Sequence, residues 1–169
     1  KLLFISLGCD KNLVDSEEML GMLAADGHEI VDDEDEAEVI IVNTCCFIGD
    51  AKEESVNTIL EMAEKKKAGT CKVLIVTGCM AQRYKKEISE EIPEVDAILG
   101  TTSYGDISKA VKEAQAGRHF EEYKSIDFLP DISGKRMLTT GGHFAYLKIA
   151  EGCDKHCTYC IIPRLRGGY

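Results

Sequence analysis

Two uninterrupted apolar quartets, Val39-Ile40-Ile41-Val42 and Val73-Leu74-Ile75-Val76, constrain this chain more than any other feature. A strand that is apolar at every position must be covered on both faces, which is the condition of a parallel sheet and not of a hairpin with one wet side. The intervening segments fit that demand. Leu13–Ala25 carries apolar residues at 13, 19, 20 and 23 with acids opposite, and Glu53–Lys67 gathers Val56, Ile59, Leu60 and Ala63 on one face. Leu2–Ser6 supplies a first short strand and Val95–Leu99 a fourth. Helices are expected over Ala81–Glu91, closed by Pro93, and over Tyr104–Ala116, closed by Gly117. The fold class is α/β, a parallel sheet with helices on both faces, over residues 1–120. From Phe120 the pattern fades, and Pro130, Gly134, Gly141 and Gly142 indicate a linker over 121–142. A strand at Phe144–Ile149 is expected to open a second, incomplete unit over 143–169.

Parallel sheets carry their sites in the loops after the carboxyl ends of the strands. The cysteines bear on this. There are eight, at 9, 45, 46, 71, 79, 153, 157 and 160. No apolar run is long enough to cross a bilayer, and the amino end does not read as a signal peptide. The chain opens on Lys1-Leu2-Leu3-Phe4-Ile5 without an initiator Met, so it is expected to be a trimmed or partial product, and it reads as cytosolic. In a reducing compartment clustered cysteines point to metal or redox chemistry. Cys9 lies just past the first strand, Cys45 and Cys46 past the second, Cys79 past the third. A lone buried cysteine is more often core than ligand, but three at equivalent strand ends are expected to open onto one sheet edge. Gly8 and Gly78 are expected to let the backbone turn tightly around a bulky cofactor. Neighbours in extended chain point opposite ways, so Cys45 and Cys46 are not expected to ligate together. Cys71 reads as a packing or surface thiol.

A second set is denser: Cys153-Asp154-Lys155-His156-Cys157-Thr158-Tyr159-Cys160. Three thiolates on one short loop can hold three irons of a cubane and leave the fourth iron open. Zinc is the bland alternative, with His156 or His143 as a fourth ligand. His28, His119 and His143 otherwise have no motif context, and Arg164 and Arg166 read as solvated. Net charge is −10, with acids concentrated in Asp32–Glu38, whereas Lys135–Tyr169 holds six Lys/Arg against two Asp/Glu. The acidic run reads as a solvated loop. An acidic surface disfavours non-specific nucleic-acid binding and suits a basic protein partner better.

The CxxxCxxC spacing, with an aromatic before the last cysteine, resembles the radical S-adenosylmethionine motif. Four strings together, Gly8–Glu17 (GCDKNLVDSE), Val42–Cys45 (VNTC), Val76–Arg83 (VTGCMAQR) and Ala150–Gly167 (AEGCDKHCTYCIIPRLRG), are similar to the methylthiotransferase family over essentially the whole chain. That resemblance implies two 4Fe–4S clusters, an auxiliary one on Cys9, Cys45 and Cys79 and a radical-forming one on Cys153, Cys157 and Cys160. It implies that S-adenosylmethionine binds the open iron with Tyr159 near its adenine, and that the expected second unit is the start of a TIM-type barrel. The implied chemistry is reductive cleavage of S-adenosylmethionine to a 5′-deoxyadenosyl radical, hydrogen abstraction from an unactivated carbon, and transfer of sulfur and a methyl group. An electron donor such as flavodoxin is implied as a partner.

Two branches of the family differ in target. Lys11-Asn12 followed by Val14-Asp15-Ser16-Glu17 resembles the branch acting on the β-carbon of an aspartate in a small-subunit ribosomal protein (number twelve). The branch acting on tRNA adenosine typically has Met-Asn at the first pair. A barrel needs on the order of 200 residues or more, so a 169-residue chain is expected to be inactive alone, with a poorly anchored tail from about Gly134. A zinc-binding interaction module and a flavodoxin-like carrier are the rival readings, although Gly8-Cys9-Asp10-Lys11-Asn12 is no Ser/Thr-rich phosphate cradle.

Overall fold

The computed structural model describes residues 1–130, 134 and 136–169. Five strands, β1 (Leu2–Ser6), β2 (Val39–Thr44), β3 (Val73–Gly78), β4 (Ala97–Leu99) and β5 (Phe120–Glu122), pair in that order, all parallel. The register sets Leu2 beside Val39, Val39 beside Val73, and Ala97 beside Phe120. Side chains alternate strictly between two cores. Ile40, Val42, Leu74 and Val76 pack on one face with Ile59, Met62 and Ile88. Val39, Ile41, Val73 and Ile75 pack on the other with Met19, Leu23 and Ile107. Both quartets are thus apolar throughout because each strand feeds two cores at once.

Helix α1 (Asp10–Ala25) and helix α5 (Ile107–Gln115) cover one face; α2 (Gly49–Ala68), α3 (Cys79–Arg83) and α4 (Lys85–Glu91) cover the other. Between α1 and β2 the chain forms a lone parallel bridge, Ile30 to Leu2, on the side of β1 away from β2. It then passes to β2 on the opposite side. The carboxyl ends of β1 and β2 therefore form a topological switch point, the place where open α/β sheets bind their ligands.

Four local expectations need correction. The helix expected over Ala81–Glu91 is two helices, broken at Tyr84 (φ −119°, ψ 35°), with no Gly or Pro to mark the break. The fading pattern at Phe120 conceals β5, a short edge strand whose two glutamates suit a sheet margin. Phe144–Ile149 is not a strand. No described strand pairs with it, and Leu147 (83% exposed) and Ile149 (75% exposed) face solvent. Lastly, the described part of the tail is anchored. Met137 N–H bonds the Glu17 carbonyl at 2.9 Å, and a short helix α6 (Ile162–Arg166), with Pro163 in its first turn, seats Leu165 in the core. The linker expected over 121–142 includes residues 131–133 and 135, which lie outside the described residues.

The acidic run is a largely exposed loop, and four of its six acids pair with lysines of the chain. Glu34 and Asp35 pair with Lys65, Glu36 with Lys1, and Glu38 with Lys72. No helix among the described residues is long and apolar enough to cross a membrane.

Candidate metal centre

Three strand ends deliver three thiols to one place. Cys9 follows β1 and caps α1 in extended conformation (φ −99°, ψ 172°), Cys45 follows β2, and Cys79 follows β3 as the first residue of α3. All three line a single cavity of about 1360 Å³ at the carboxyl edge of the sheet. Cys45 and Cys79 are buried and Cys9 is exposed.

The glycines make the approach of the loops possible. Gly8 and Gly78 have φ of +93° and +94°, where a side chain is strained. A Cβ on Gly8 would stand 2.8 Å from Cys45 Sγ, and one on Gly78 would stand 2.6 Å from the Thr44 carbonyl oxygen. What they admit most directly is the neighbouring loop, and hence the convergence of the cysteines.

Polar residues of the first motif hold those loops. Asn12 is buried and its Nδ2 donates to the Leu7 carbonyl at 2.9 Å and the Thr44 carbonyl at 2.8 Å, joining the loops that carry Cys9 and Cys45. Its Oδ1 lies 3.8 Å from Cys79 Sγ, so one side chain touches the surroundings of all three thiols. Asn43 Nδ2 donates to the Asn12 carbonyl and to Ser16 Oγ, both at 2.9 Å, and Thr44 Oγ1 donates to the Thr77 carbonyl at 2.6 Å. Ser55 clamps the Cys45 peptide, accepting from its N–H at 3.0 Å and donating to its carbonyl at 2.8 Å. These bonds explain why polar residues of GCDKNLVDSE and VNTC sit in the interior, where each must find a partner.

A buried ionic group closes one side of the cavity. Arg166, 1% exposed, donates Nη2 to Asp15 Oδ2 at 2.8 Å and Nη1 to Glu151 Oε2 at 3.0 Å. Lys148 joins the same two carboxylates, at 2.5 Å to Asp15 and closer still to Glu151. Lys11 Nζ caps the carbonyls of Ala150 (3.0 Å) and Glu151 (2.7 Å). Arg166 is therefore not the solvated arginine its sequence context suggests, whereas Arg164 is exposed. The ion pairs among Asp15, Lys148, Glu151 and Arg166 escape a reading of the sequence, whose only hint is that three of the four lie inside motif strings.

Charge and burial act together on the thiols. Burial pushes Cys79 up, while the Arg166 guanidinium beside it pulls the other way. Cys46 behaves differently. Its Sγ sits in the core, donates to the Cys79 carbonyl at 3.3 Å, and is pushed up to about 11 by burial and by the nearby Cys79. Cys71 is a packing thiol, buried and bonded to the Val73 carbonyl at 3.1 Å.

The second set is arranged otherwise. Cys153 is half-buried and lines the same cavity, while Cys157 is exposed and Cys160 half-buried, and neither lines it. The Cys160 N–H bonds the Cys157 carbonyl at 3.1 Å. Tyr159 is 84% exposed. Among the described residues no three His, Cys, Asp or Glu side chains are gathered tightly enough to hold a single metal ion.

A bare structural zinc site is closed by four ligands and leaves no void. Here the cysteines, Cys153 included, line a wide cavity with no imidazole and are not gathered around one point, and the neighbouring Arg166 Nε is buried without a partner among the described residues. That donor set suits a bulky, sulfur-rich anionic group better than one ion.

A family model described as uncharacterized protein family UPF0004 matches residues 1–100. The chain is 63% identical over 169 residues to the ribosomal protein uS12 methylthiotransferase RimO of Lachnoclostridium phytofermentans, covering 100% of this chain and 38% of that protein. It is 52% identical to the protein of that name from Clostridioides difficile, again over 100% of this chain and 38% of the relative. For Trichlorobacter lovleyi the identity is 50% over 170 residues, with the same coverage. The chain thus spans 38% of the length of these curated relatives.

Proposed function

The chain belongs to the UPF0004 family, and on that premise we propose that it is the cluster-bearing part of a methylthiotransferase acting on ribosomal protein uS12. The observation that carries the reading is the arrival of Cys9, Cys45 and Cys79 on one cavity at the sheet's switch point. These three would hold an auxiliary 4Fe–4S cluster, and Cys153, Cys157 and Cys160 a second one that binds S-adenosylmethionine at its open iron. When bound, such clusters supply one-electron chemistry and a sulfur store that no side chain offers.

The chain's own residues bind, orient and exclude water. Asn12, Asn43, Thr44 and Ser55 fix the three strand-end loops, so the thiols are presented on rigid supports. Lys11, Asp15 and Glu151 hold the chain leading to Cys153 against α1, which puts Cys153 on the wall of the first cysteines' cavity. In this reading residues 1–120 form the auxiliary-cluster domain, 121–142 a linker, and 143–169 the opening of a radical S-adenosylmethionine barrel. Exposed Leu147, Ile149 and Tyr159 fit a segment that packs against further barrel strands, with Tyr159 toward the adenine. The aspartate β-carbon as the methylated-sulfur acceptor, and a flavodoxin-type electron donor, complete the proposal.

Anaerobic reconstitution with iron and sulfide tests it. A brown protein with broad visible absorbance, lost when Cys9, Cys45 and Cys79 are replaced together with the other set, supports the reading. Stoichiometric zinc and no colour would sink it. The substrate is tested by incubating the full-length enzyme with uS12 and S-adenosylmethionine, then measuring the mass of the aspartate-bearing peptide. No methylthio adduct there, with adduct on tRNA instead, would refute the assignment.

A further inference from the structure

Arg166 uses its fork in an unusual way for a buried arginine. Two of its nitrogens are spent on protein: Nη1 on Glu151 and Nη2 on Asp15 and Asn12. Nε is left without a partner among the described residues. The side chain is 1% exposed, so water does not readily replace the missing acceptor. It lines the three-cysteine cavity together with Cys79. Asp15 and Glu151 fix the plane of the fork, which leaves Nε little freedom to turn elsewhere.

We propose that Arg166 is a positioning residue that donates its Nε hydrogen to a sulfur of the iron–sulfur group held by Cys9, Cys45 and Cys79, and so sets that group's charge. The inference rests on the cluster reading above. A hydrogen bond and a positive charge beside cluster sulfur favour the reduced, more negative form, so the donor raises the reduction potential. Asp15 and Glu151 partly offset the guanidinium charge, and Lys148, paired with both carboxylates, offsets them in turn.

The test is the midpoint potential of the auxiliary cluster, followed by electron paramagnetic resonance in reconstituted full-length protein whose second set of cysteines has been replaced. Arg166→Gln is expected to shift the potential to more negative values and alter the reduced-state spectrum at unchanged iron content. Arg166→Lys, which keeps the charge but lacks the fork, is expected to shift it less in the same direction. That variant carries the test should the glutamine variant not fold. Lys148→Met loosens the same ionic group without removing the donor and is expected to shift it least. Iron retained with an unchanged potential and spectrum in both Arg166 variants overturns this inference while leaving the cluster reading intact. Failure of the parent protein to bind any cluster on Cys9, Cys45 and Cys79 overturns both.

Discussion

Arg166 Nη2 donates to Asn12 Oδ1 at 2.5 Å, joining residues 154 positions apart in the sequence. Asn12 already spends both its donor hydrogens on the carbonyls of Leu7 and Thr44. Its acceptor oxygen is therefore the point at which α6 is fastened to the two cysteine loops. The first and last motifs of the chain are in this sense one structural unit, assembled at the carboxyl end of the sheet.

Replacing Asn12 by Ala leaves two buried carbonyls and one guanidinium donor without their partner. Each lost bond to a buried group costs about 1–3 kcal/mol, so a loss of roughly 3 kcal/mol or more is expected in urea unfolding. Iron content after reconstitution should fall with it, because the loops holding Cys9 and Cys45 are no longer tied together. Full iron content in a destabilised Asn12→Ala protein would contradict that role.

Asp15 is the carboxylate shared by Arg166 and Lys148. Breaking a buried ion pair from one side costs about 3–5 kcal/mol, since the remaining charge stays uncompensated. Asp15→Asn is therefore expected to release the 148–166 segment from α1 before the sheet unfolds. Hydrogen exchange would report this as faster amides around Cys153 and Leu165, with those of β2 and β3 unchanged. Uniform exchange across both regions would mean that the network does not anchor the segment.

How much of this was legible from residues alone depends on the kind of signal. β2 and β3 announce themselves because burial on two faces leaves no polar position. β5 does not, because a three-residue edge strand with Glu121 and Glu122 has no apolar period to read. The break at Tyr84 is tertiary, since nothing in Gln82-Arg83-Tyr84-Lys85 opposes a helix. The cysteine loops were legible from topology, as strand ends of a parallel sheet share an edge. Arg166 was not, because a buried arginine is defined by its partners, and Asp15 lies 151 residues away.

Glu17 predicts a pH response. Burial works against its ionised form, but the Thr139 amide, the Arg136 guanidinium and the Thr139 hydroxyl outweigh that and hold the carboxyl below its ordinary value of 4.5. A carboxylate lowered in the folded state stabilises fully above the unfolded value and loses that contribution as pH falls through the folded one. The contact of residues 136–139 with α1 should therefore persist at neutral pH and weaken only below about 4.5. The Thr139 amide resonance, followed on acidification, would move with Glu17, and Glu17→Gln would abolish that acid step. An unchanged Thr139 signal down to unfolding would refute the coupling.

Cys45 and Cys46 offer the sharpest comparison, being adjacent in sequence and opposite in fate. Cys45 lines the cavity, whereas Cys46 is 1% exposed and bonds the Cys79 carbonyl from within the core. Cys46→Ala removes a buried sulfur and one weak bond, which should cost about 1–2 kcal/mol of stability and leave iron binding in place. Cys45→Ala should do the reverse, with near-parental unfolding but loss of the auxiliary cluster's visible absorbance. Paired measurement of iron content and urea midpoint separates the two effects. If Cys46→Ala loses the cluster while Cys45→Ala keeps it, the ligand lies on the core side of the strand end, and the cavity that unites Cys9, Cys45 and Cys79 is not the metal centre.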